Sequence, residues 1–222
     1  IPMDIWMKLL GYYLSEGCCS GNRVIISQFD GYKKDIMREV LKQTPFEWRE
    51  YFDGFKTSNK QLVDYFSKCG KYAYGKFIPS EIKELPPSKL KLLIEALILG
   101  DGSIKGNTYV TISEKLCQDI VEIGIKCGYK ISFRKYSKQK ENHYDAYWIH
   151  LNPVNMPTRI KSKDVEYVDY NGKVYCVEVP KHHTLITERN GFVKVDGNSF
   201  QEQEFSVLRD KLREQISAIW GI

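Results

Sequence analysis

The sequence lacks three features that would place the chain in other classes of protein. It has no apolar run near the roughly 20 residues that a membrane-spanning helix needs, so we expect no membrane segment. Its first residues carry neither a basic start nor a small-residue cleavage site, which argues against a signal peptide. None of its six cysteines forms a CxxC pair or a zinc spacing with the four histidines. We therefore expect a cytoplasmic chain without structural disulfides.

Composition and charge indicate a globular protein with a basic N-terminal part. The 222 residues are 42% hydrophobic and 27% charged, which argues against disorder and is enough for one large domain or two small ones. All of the net charge of +5 lies in residues 1–157. The densest basic stretch, 130–140, has interleaved aromatic residues, a pattern that suits a phosphate backbone or, equally, one solvated face of a hairpin. The basic candidates for DNA contacts are Lys56, Arg134, Lys135, Lys138 and Lys140.

Two stretches of the chain follow the same plan. Each has a helix, a break at an acidic residue followed by glycine, a strand, another helix and two more strands. The breaks are Glu16-Gly17 and Asp101-Gly102, which are separated by the length of a domain rather than by a short repeat. This order predicts an α+β domain over residues 1–157, with one repeat at about 1–75 and another at about 85–157.

The two helix ends align residue by residue. LLGYYLSEG (9–17) matches IEALILGDG (94–102), and each has small residues at its third and seventh positions. Small residues four apart lie on one helix face and let two backbones approach closely. Such packing would bring Glu16 and Asp101 together, each before a glycine that commonly ends a helix.

Two carboxylates at the negative ends of two helix dipoles repel one another, so a positive charge is expected between them. Oxygen ligands with room for water and phosphate suit Mg²⁺, and paired metal-bound carboxylates cleave phosphodiesters in many enzymes. Each acidic-glycine pair alone is better explained by a simple helix end. The occurrence of two copies on parallel plans favours the metal site.

On these residues the chain resembles the LAGLIDADG homing endonucleases in their single-chain, two-repeat form, over about residues 5–157. The resemblance implies two pseudo-symmetric αββαββα repeats, whose signature helices form the central interface. It also implies that saddle-shaped sheets straddle double-stranded DNA, and that Glu16 and Asp101 bind catalytic Mg²⁺ or another divalent cation. We expect a monomer. The sequence departs from the family motif at Ala96, where a small glycine is usual.

The same resemblance suggests further catalytic residues near the scissile phosphates. The family often places Gln, Asn or Lys at the end of the first strand of each repeat, for which Gln28 and Lys115 are the candidates. Lys76, before the segment IPSE, is another. A solvated surface lysine is the alternative at both lysine positions.

Residues 158–198 have a different character. Strands such as DVEYVDY, GKVYCVEV and HTLITE are separated by Asn171-Gly172 and Asn190-Gly191, and Asn-Gly between β-prone runs is a strong hairpin signal. These residues therefore predict a small all-β segment. Residues 199–222 return to helical periodicity and predict a helical tail.

The segment 163–199 resembles the two C-terminal splicing blocks of an intein, the Hint fold. The resemblance implies that Asn198 cyclises, that Ser199 is the first residue of the downstream host protein, and that His183, rather than His182, assists. Gly197 stands where the family commonly has His. The upstream splicing blocks do not precede Ile1, so the expected partner is an N-terminal intein half, supplied in trans or missing.

Cys176 has two interpretations that the sequence leaves open. Some inteins, especially phage-borne ones, use a cysteine at this place as a branch nucleophile, whereas a buried structural cysteine is the plain alternative. The combined hypothesis is an intein-encoded, site-specific DNA endonuclease, active in the cytoplasm of the cell or of a phage-infected host. The alternative is an inactive, relic DNA-binding domain within a splicing element.

Overall fold

The structure, a computed structural model, describes residues 1–137, 144–153, 165–173, 177, 179 and 184–197. The chain divides into two compact units, one of residues 1–157 with 190–192 and the other of 158–189 with 193–222. No helix in the described ranges is long and apolar enough to cross a membrane. Helices and antiparallel sheets are both present, in agreement with the predicted α+β class.

The first repeat of the larger unit alternates helices with pairs of strands. Its elements are α1 (Met3–Glu16), β1 (Gly17–Ser20), β2 (Arg23–Ser27), α2 (Tyr32–Leu41), β3 (Arg49–Tyr51), β4 (Gly54–Thr57) and α3 (Lys60–Phe66). Two 3₁₀ turns, Ser67–Cys69 and Ala73–Gly75, and the short helix α4 (Ser80–Lys83) connect it to the second repeat.

The second repeat has the same order of elements up to its fourth strand, and the described residues that follow it include no counterpart of α3. Its elements are α5 (Pro87–Asp101), β5 (Gly102–Ser103), β6 (Thr108–Thr111), α6 (Glu114–Lys126), β7 (Tyr129–Tyr136) and β8 (Ala146–Pro153). The strand order is β1-β2-β4-β3 in the first sheet and, within this unit, β5-β6-β8-β7 in the second. The sequence did not predict β1 and β5, which begin at the glycine that follows each helix.

Each sheet has one face against helices and one open face. Side chains alternate between the two faces of a strand, and Val24 and Ile26 of β2 are buried, as are Ile149 and Leu151 of β8. The helices α1 and α5 form the centre of the unit. Most of their residues from the second turn onward are buried, which is why both helices are largely apolar.

Two strands that follow in the chain, β9 (Thr184–Arg189) and β10 (Phe192–Gly197), form a hairpin through Asn190 and Gly191, with φ angles of 53° and 77°. Positive φ at both residues is the two-residue turn that Asn-Gly favours, so this predicted hairpin is confirmed. The predicted strand DVEYVDY is wrong, because residues 165–170 form neither strand nor helix. Its apolar side chains are exposed, Tyr167 at 97%, so no burial stabilises a strand there. The predicted helical tail lies outside the described residues.

Candidate active site

Small residues bring the last turns of α1 and α5 into direct contact. A Cβ atom on Gly11 would lie 2.5 Å from the Cβ of Ala96, and a Cβ on Gly100 would lie 2.4 Å from that of Ser15. Ser15 also donates from its Oγ to the carbonyl of Leu97 at 3.2 Å. The predicted close packing of the two helices through these residues is confirmed.

Glu16 and Asp101 are the last residues of the two packed helices. The Cγ of Glu16 lies 3.3 Å from the place that a Cβ on Gly100 would take. Desolvation raises the pKa of Glu16, and the negative charge of Asp101 raises it further. Desolvation also raises the pKa of Asp101. The structure therefore brings the two carboxylates close enough for the charge of Asp101 to act on Glu16.

The glycines after these carboxylates are required for space rather than for a left-handed backbone. Gly17 and Gly102 have φ angles of −97° and −121°, so both are extended. A Cβ on Gly17 would lie 2.5 Å from the Cδ2 of Tyr13, and one on Gly102 would lie 2.3 Å from the carbonyl oxygen of Thr108. Both helices end at glycine as expected. After each of them the backbone continues directly into a strand, and the glycine does not adopt the left-handed conformation of a helix cap.

Lys76 caps the C-terminal end of α1. Its buried Nζ donates to the carbonyls of Tyr13 and Leu14, each at 2.9 Å, and to that of Ser15 at 3.3 Å. Its own carbonyl accepts from the Oγ of Ser113 at 2.6 Å, which ties this lysine to the start of α6. Burial lowers the pKa of Lys76 to about 8. The alternative of a solvated surface lysine is therefore wrong for Lys76.

Two lysines supply positive charge at the helix ends. Lys33, in the first turn of α2, donates to the carbonyl of Gly100 at 2.8 Å. Both Lys33 and Lys76 lower the pKa of each carboxyl, against the effect of desolvation. Part of the compensating charge that the sequence argument assigned to a cation is thus provided by the protein itself.

The two carboxylates are of the type that binds a hydrated divalent cation. Within the described ranges, no group of three or more His, Cys, Asp or Glu side chains is placed to hold a metal ion. Mg²⁺ commonly takes one or two carboxylates and completes its shell with water and phosphate oxygens, so Glu16 and Asp101 fit it. A cleft of about 280 Å³, lined among others by Lys76, Asp101 and Thr111, leaves space beside Asp101.

Gln28 lies directly after β2, where the sequence placed it. Its backbone N–H donates to the carbonyl of Asp53 at 3.0 Å. Its Oε1 is buried and has no hydrogen-bond partner among the described residues. Such an oxygen is free to accept a hydrogen bond from water or from a ligand.

The structure does not place Lys115 at the end of a strand. It is the second residue of α6, and its exposed side chain carries Nζ 3.8 Å from the centroid of the Phe77 ring. Strand register assigns Thr111 as the counterpart of Gln28. Gly17 pairs with Ile26, and Gln28 is two residues further on. Gly102 pairs with Tyr109, and Thr111 is two residues further on. Thr111 lines the cleft beside Asp101, and the sequence analysis missed it.

The open face of the first sheet is basic. Cross-strand pairing places Arg49 beside Lys56, and Arg23 lies on the same face. Among the residues that β1–β4 present on this face there is no Asp or Glu. The Nζ of Lys56 lies 4.4 Å from the ring centroid of Tyr51, and a cleft of about 410 Å³ runs along Arg23, Arg49 and Lys56.

The second sheet separates two of the predicted DNA-contacting residues. Arg134 pairs with the exposed Trp148 and lies on the open face, whereas Lys135 pairs with the buried Tyr147 on the face toward the helices. The Nζ of Lys135 forms an ion pair with Asp145 at 3.0 Å. Lys135 is therefore not part of the open face. Lys138 and Lys140 lie outside the described residues.

The residues predicted for splicing also lie outside the described residues. They are Cys176, His183, Asn198 and Ser199. The described hairpin of β9 and β10 ends at Gly197, one residue before the predicted cleavage point.

No protein-family model matches the chain. It is 23% identical over 144 residues to an ATP-dependent Clp protease proteolytic subunit of Chlamydomonas moewusii. It is 29% identical over 144 residues to an uncharacterized protein of Methanocaldococcus jannaschii, and 26% over 235 residues to the DNA polymerase II large subunit of Thermococcus kodakarensis. These matches cover 57%, 58% and 97% of this chain, which itself spans 14%, 18% and 12% of the relatives.

Among solved structures, the chain is similar to the homing endonuclease I-DmoI. One structure, a variant in complex with its target DNA, matches over 68% of this chain and 89% of that chain, with 13% identity and a TM-score of 0.48. A mesophilic variant matches with the same coverage, 14% identity and a TM-score of 0.46.

Proposed function

We propose that the chain is a divalent-metal-dependent endonuclease that cleaves double-stranded DNA at a specific site. The observation that carries this proposal is the duplicated placement of Glu16 and Asp101 at the ends of two helices that pack through small residues. Each helix leads directly into a sheet with an open, basic face. One acidic centre between two basic faces suits an enzyme that holds a duplex across its active site.

The protein's own groups orient the reaction. Glu16 and Asp101 would hold a divalent cation in their ionised forms, and Lys33 and Lys76 favour those forms by lowering both pKa values. When bound there, such a cation would stabilise charge on the phosphate and activate water. Gln28 offers its unpartnered Oε1 to a water molecule in the same region. The Thr111 hydroxyl of the second repeat accepts from the N–H of Ser113 at 3.1 Å and keeps its own proton to donate.

Recognition of DNA is assigned to the open faces of the sheets. Lysine and arginine side chains there neutralise phosphates, whereas polar side chains on the strands are of the type that reads base edges in the major groove. Arg23, Arg49 and Lys56 contribute from the first sheet and Arg134 from the second.

A library of randomised duplexes tests the proposal, because the target sequence is unknown. The chain should enrich and cut a subset of the library with Mg²⁺, and EDTA should stop cutting. Glu16→Gln and Asp101→Asn should bind the enriched duplex and fail to cut it. Glu95→Gln, an exposed carboxylate earlier on α5, is the matched control and should cut normally. Cutting by both active-site variants would contradict the proposal.

A DNA-binding protein without nuclease activity is the second candidate. The two lysines at the helix ends favour it, since they compensate the carboxylates without a cation. Thermal unfolding with and without Mg²⁺ distinguishes the candidates, because a ligand that binds only the folded state raises its stability. The endonuclease should gain stability from Mg²⁺, and Glu16→Gln should lose that gain. A chain that binds DNA but gains nothing from Mg²⁺ would be the inactive binder.

From the sequence we also propose that residues 158–198 are the C-terminal part of a protein-splicing element. The Asn190-Gly191 hairpin of the predicted type supports this proposal. In the proposed step the side-chain amide nitrogen of Asn198 attacks its own peptide carbonyl. A succinimide forms, and the amine of Ser199 leaves with a proton that His183 provides. Cys176 is either the branch nucleophile or a packing residue.

Mixing the chain with a compatible N-terminal intein half tests this second activity. The chain should then be cut after Asn198 and Ser199 joined to the incoming segment, and Asn198→Ala should block release. Cys176→Ala should stop ligation if the thiol is the nucleophile and leave it intact if the thiol only packs. Rapid cleavage of the isolated chain after Asn198 would show that no partner half is needed.

A further inference from the structure

Two phenylalanine rings project into solvent at one end of the first sheet. Phe29 is 64% exposed and Phe52 is 73% exposed. Their ring centroids lie 5.6 Å apart at an interplanar angle of 67°, an edge-to-face pair. We call these two residues the aromatic pair. A phenylalanine ring gains nothing from contact with water, and neighbouring exposed apolar side chains commonly mark a binding site.

A buried lysine fixes the turns that carry the aromatic pair. Lys34 is 1% exposed, and its Nζ donates to Asp30 at 2.7 Å, to the carbonyl of Tyr51 at 2.6 Å and to that of Phe52 at 3.2 Å. Its Nζ also lies 3.5 Å from a carboxylate oxygen of Glu50. A buried charge is costly unless fully paired. This one holds both turns in place, so the exposed rings are presented rigidly.

The aromatic pair lies at the end of the sheet that adjoins the candidate active site. Gly17, which follows Glu16, pairs with Ile26 of β2, and Gln28 is two residues further on. Phe29 comes directly after Gln28. Alternation along the chain places the buried Gln28 amide toward the helices and the Phe29 ring toward the open side.

Charge on the neighbouring face indicates what the aromatic pair meets. The open face of the first sheet carries Arg23, Arg49 and Lys56 and, among its strand residues, no acidic side chain. Asp53, in the turn that carries Phe52, lies 3.7 Å from the Nζ of Lys56 and offsets part of this positive charge. Such a face attracts a phosphate backbone. Apolar side chains beside phosphate contacts commonly insert between base pairs, where they partly unstack a step and bend the duplex.

We propose that Phe29 and Phe52 form a wedge that packs against an opened base step of double-stranded DNA held along the open face of the first sheet. The proposal rests on the proposed DNA-cleaving function and adds a means of deforming the duplex next to Glu16 and Asp101. The wedge contributes stacking and shape rather than hydrogen bonds, so it favours steps that unstack easily.

Fluorescence anisotropy with two labelled duplexes tests the wedge. The duplexes have the same mixed sequence, and one carries a central mismatch that removes part of the unstacking cost in advance. The wild-type chain should bind the mismatched duplex about tenfold more tightly, since unstacking a step costs a few kcal/mol. Phe29→Ala/Phe52→Ala should bring this ratio close to one. Phe29→Tyr/Phe52→Tyr keeps both rings and should keep the ratio.

The outcomes separate the wedge from the proposed function. If the wild-type chain binds neither duplex, the DNA-binding function fails and the wedge with it. If it binds both duplexes equally, or if the double alanine variant keeps the wild-type ratio, only the wedge is overturned. Loss of concentration-dependent self-association in the alanine variant, with an unchanged ratio, would assign the rings to a protein contact instead. Both rings are exposed, so thermal unfolding of the variants should match that of the wild type.

Discussion

Lys33 of the first repeat donates from its Nζ to the carbonyl of Gly100 in the second repeat, at 2.8 Å. The residue at the matching place in α6 is Lys115, whose ammonium instead lies over the ring of Phe77. Lys76, from the connection between the repeats, caps α1 in its place. The negative ends of both central helices are therefore capped by lysines. The two lysines do not occupy equivalent positions in the two repeats.

Exchange of the small residues at the helix contact should be tolerated only in pairs. Gly11→Ala places a Cβ 2.5 Å from that of Ala96 and should destabilise the protein by about 1–3 kcal/mol, the usual cost of overpacking. The double variant Gly11→Ala/Ala96→Gly should recover most of this loss, because the volume at the contact is restored. Urea unfolding measures both. Equal stability of the single and double variants would contradict the contact.

The stability that Lys76 contributes should depend on pH. Its folded pKa of about 8 lies below the ordinary value of 10.5, so between these pH values the unfolded chain binds more protons and stability rises with pH. Lys76→Met should lack this rise, which amounts to at most about 3 kcal/mol. Cysteines and tyrosines that titrate in the same pH range contribute equally to the free energy of unfolding of both proteins, so their contributions cancel in the comparison. Lys105→Met, at an exposed lysine, should follow the wild type, and parallel curves for Lys76→Met would contradict the prediction.

The carboxylates of Glu16 and Asp101 should reduce the stability of the metal-free protein. Their pKa values are raised in the folded state, so folding favours the protonated forms and stability rises as pH falls through their titration. Glu16→Gln should therefore stabilise the protein at neutral pH by about 0.5 kcal/mol, within the range of partly exposed charge interactions. Urea unfolding in EDTA measures the change, with Glu95→Gln as the control. Destabilisation by Glu16→Gln would show that the carboxylate is structurally required.

Neighbouring residues of β7 should differ in their effect on DNA binding. Arg134→Ala removes a cation from the open face and should weaken binding to all sequences while lowering the salt slope by about 1. Lys135→Ala removes a cation on the opposite face, paired with Asp145, and should change neither quantity. Binding measured over a range of salt concentrations tests both. Equal effects would place the DNA elsewhere than on the open face.

The sequence by itself determined the features that depend on local pattern. Helical periodicity and the small residues of LLGYYLSEG and IEALILGDG were enough to predict two packed helices ending in Glu16 and Asp101. Asn190-Gly191 was enough to predict a hairpin, since both residues accept positive φ. Asn171-Gly172 was not enough to predict a hairpin, because the apolar side chains of residues 165–170 are exposed and do not pack against a sheet.

Only the tertiary structure decided which residues complete the site. The strand partner of Gly17 is Ile26, nine residues along the chain, whereas that of Gly102 is Tyr109, seven residues along. Counting along the chain therefore could not align Thr111 with Gln28, and strand register was needed. Lys33 and the Gly100 carbonyl that it caps are distant in sequence. Only the fold shows that Lys76 is buried and that its ammonium group caps α1. Likewise, the side of the sheet taken by Lys135 follows from its partner Tyr147, because a basic run on a strand divides its charges between two faces.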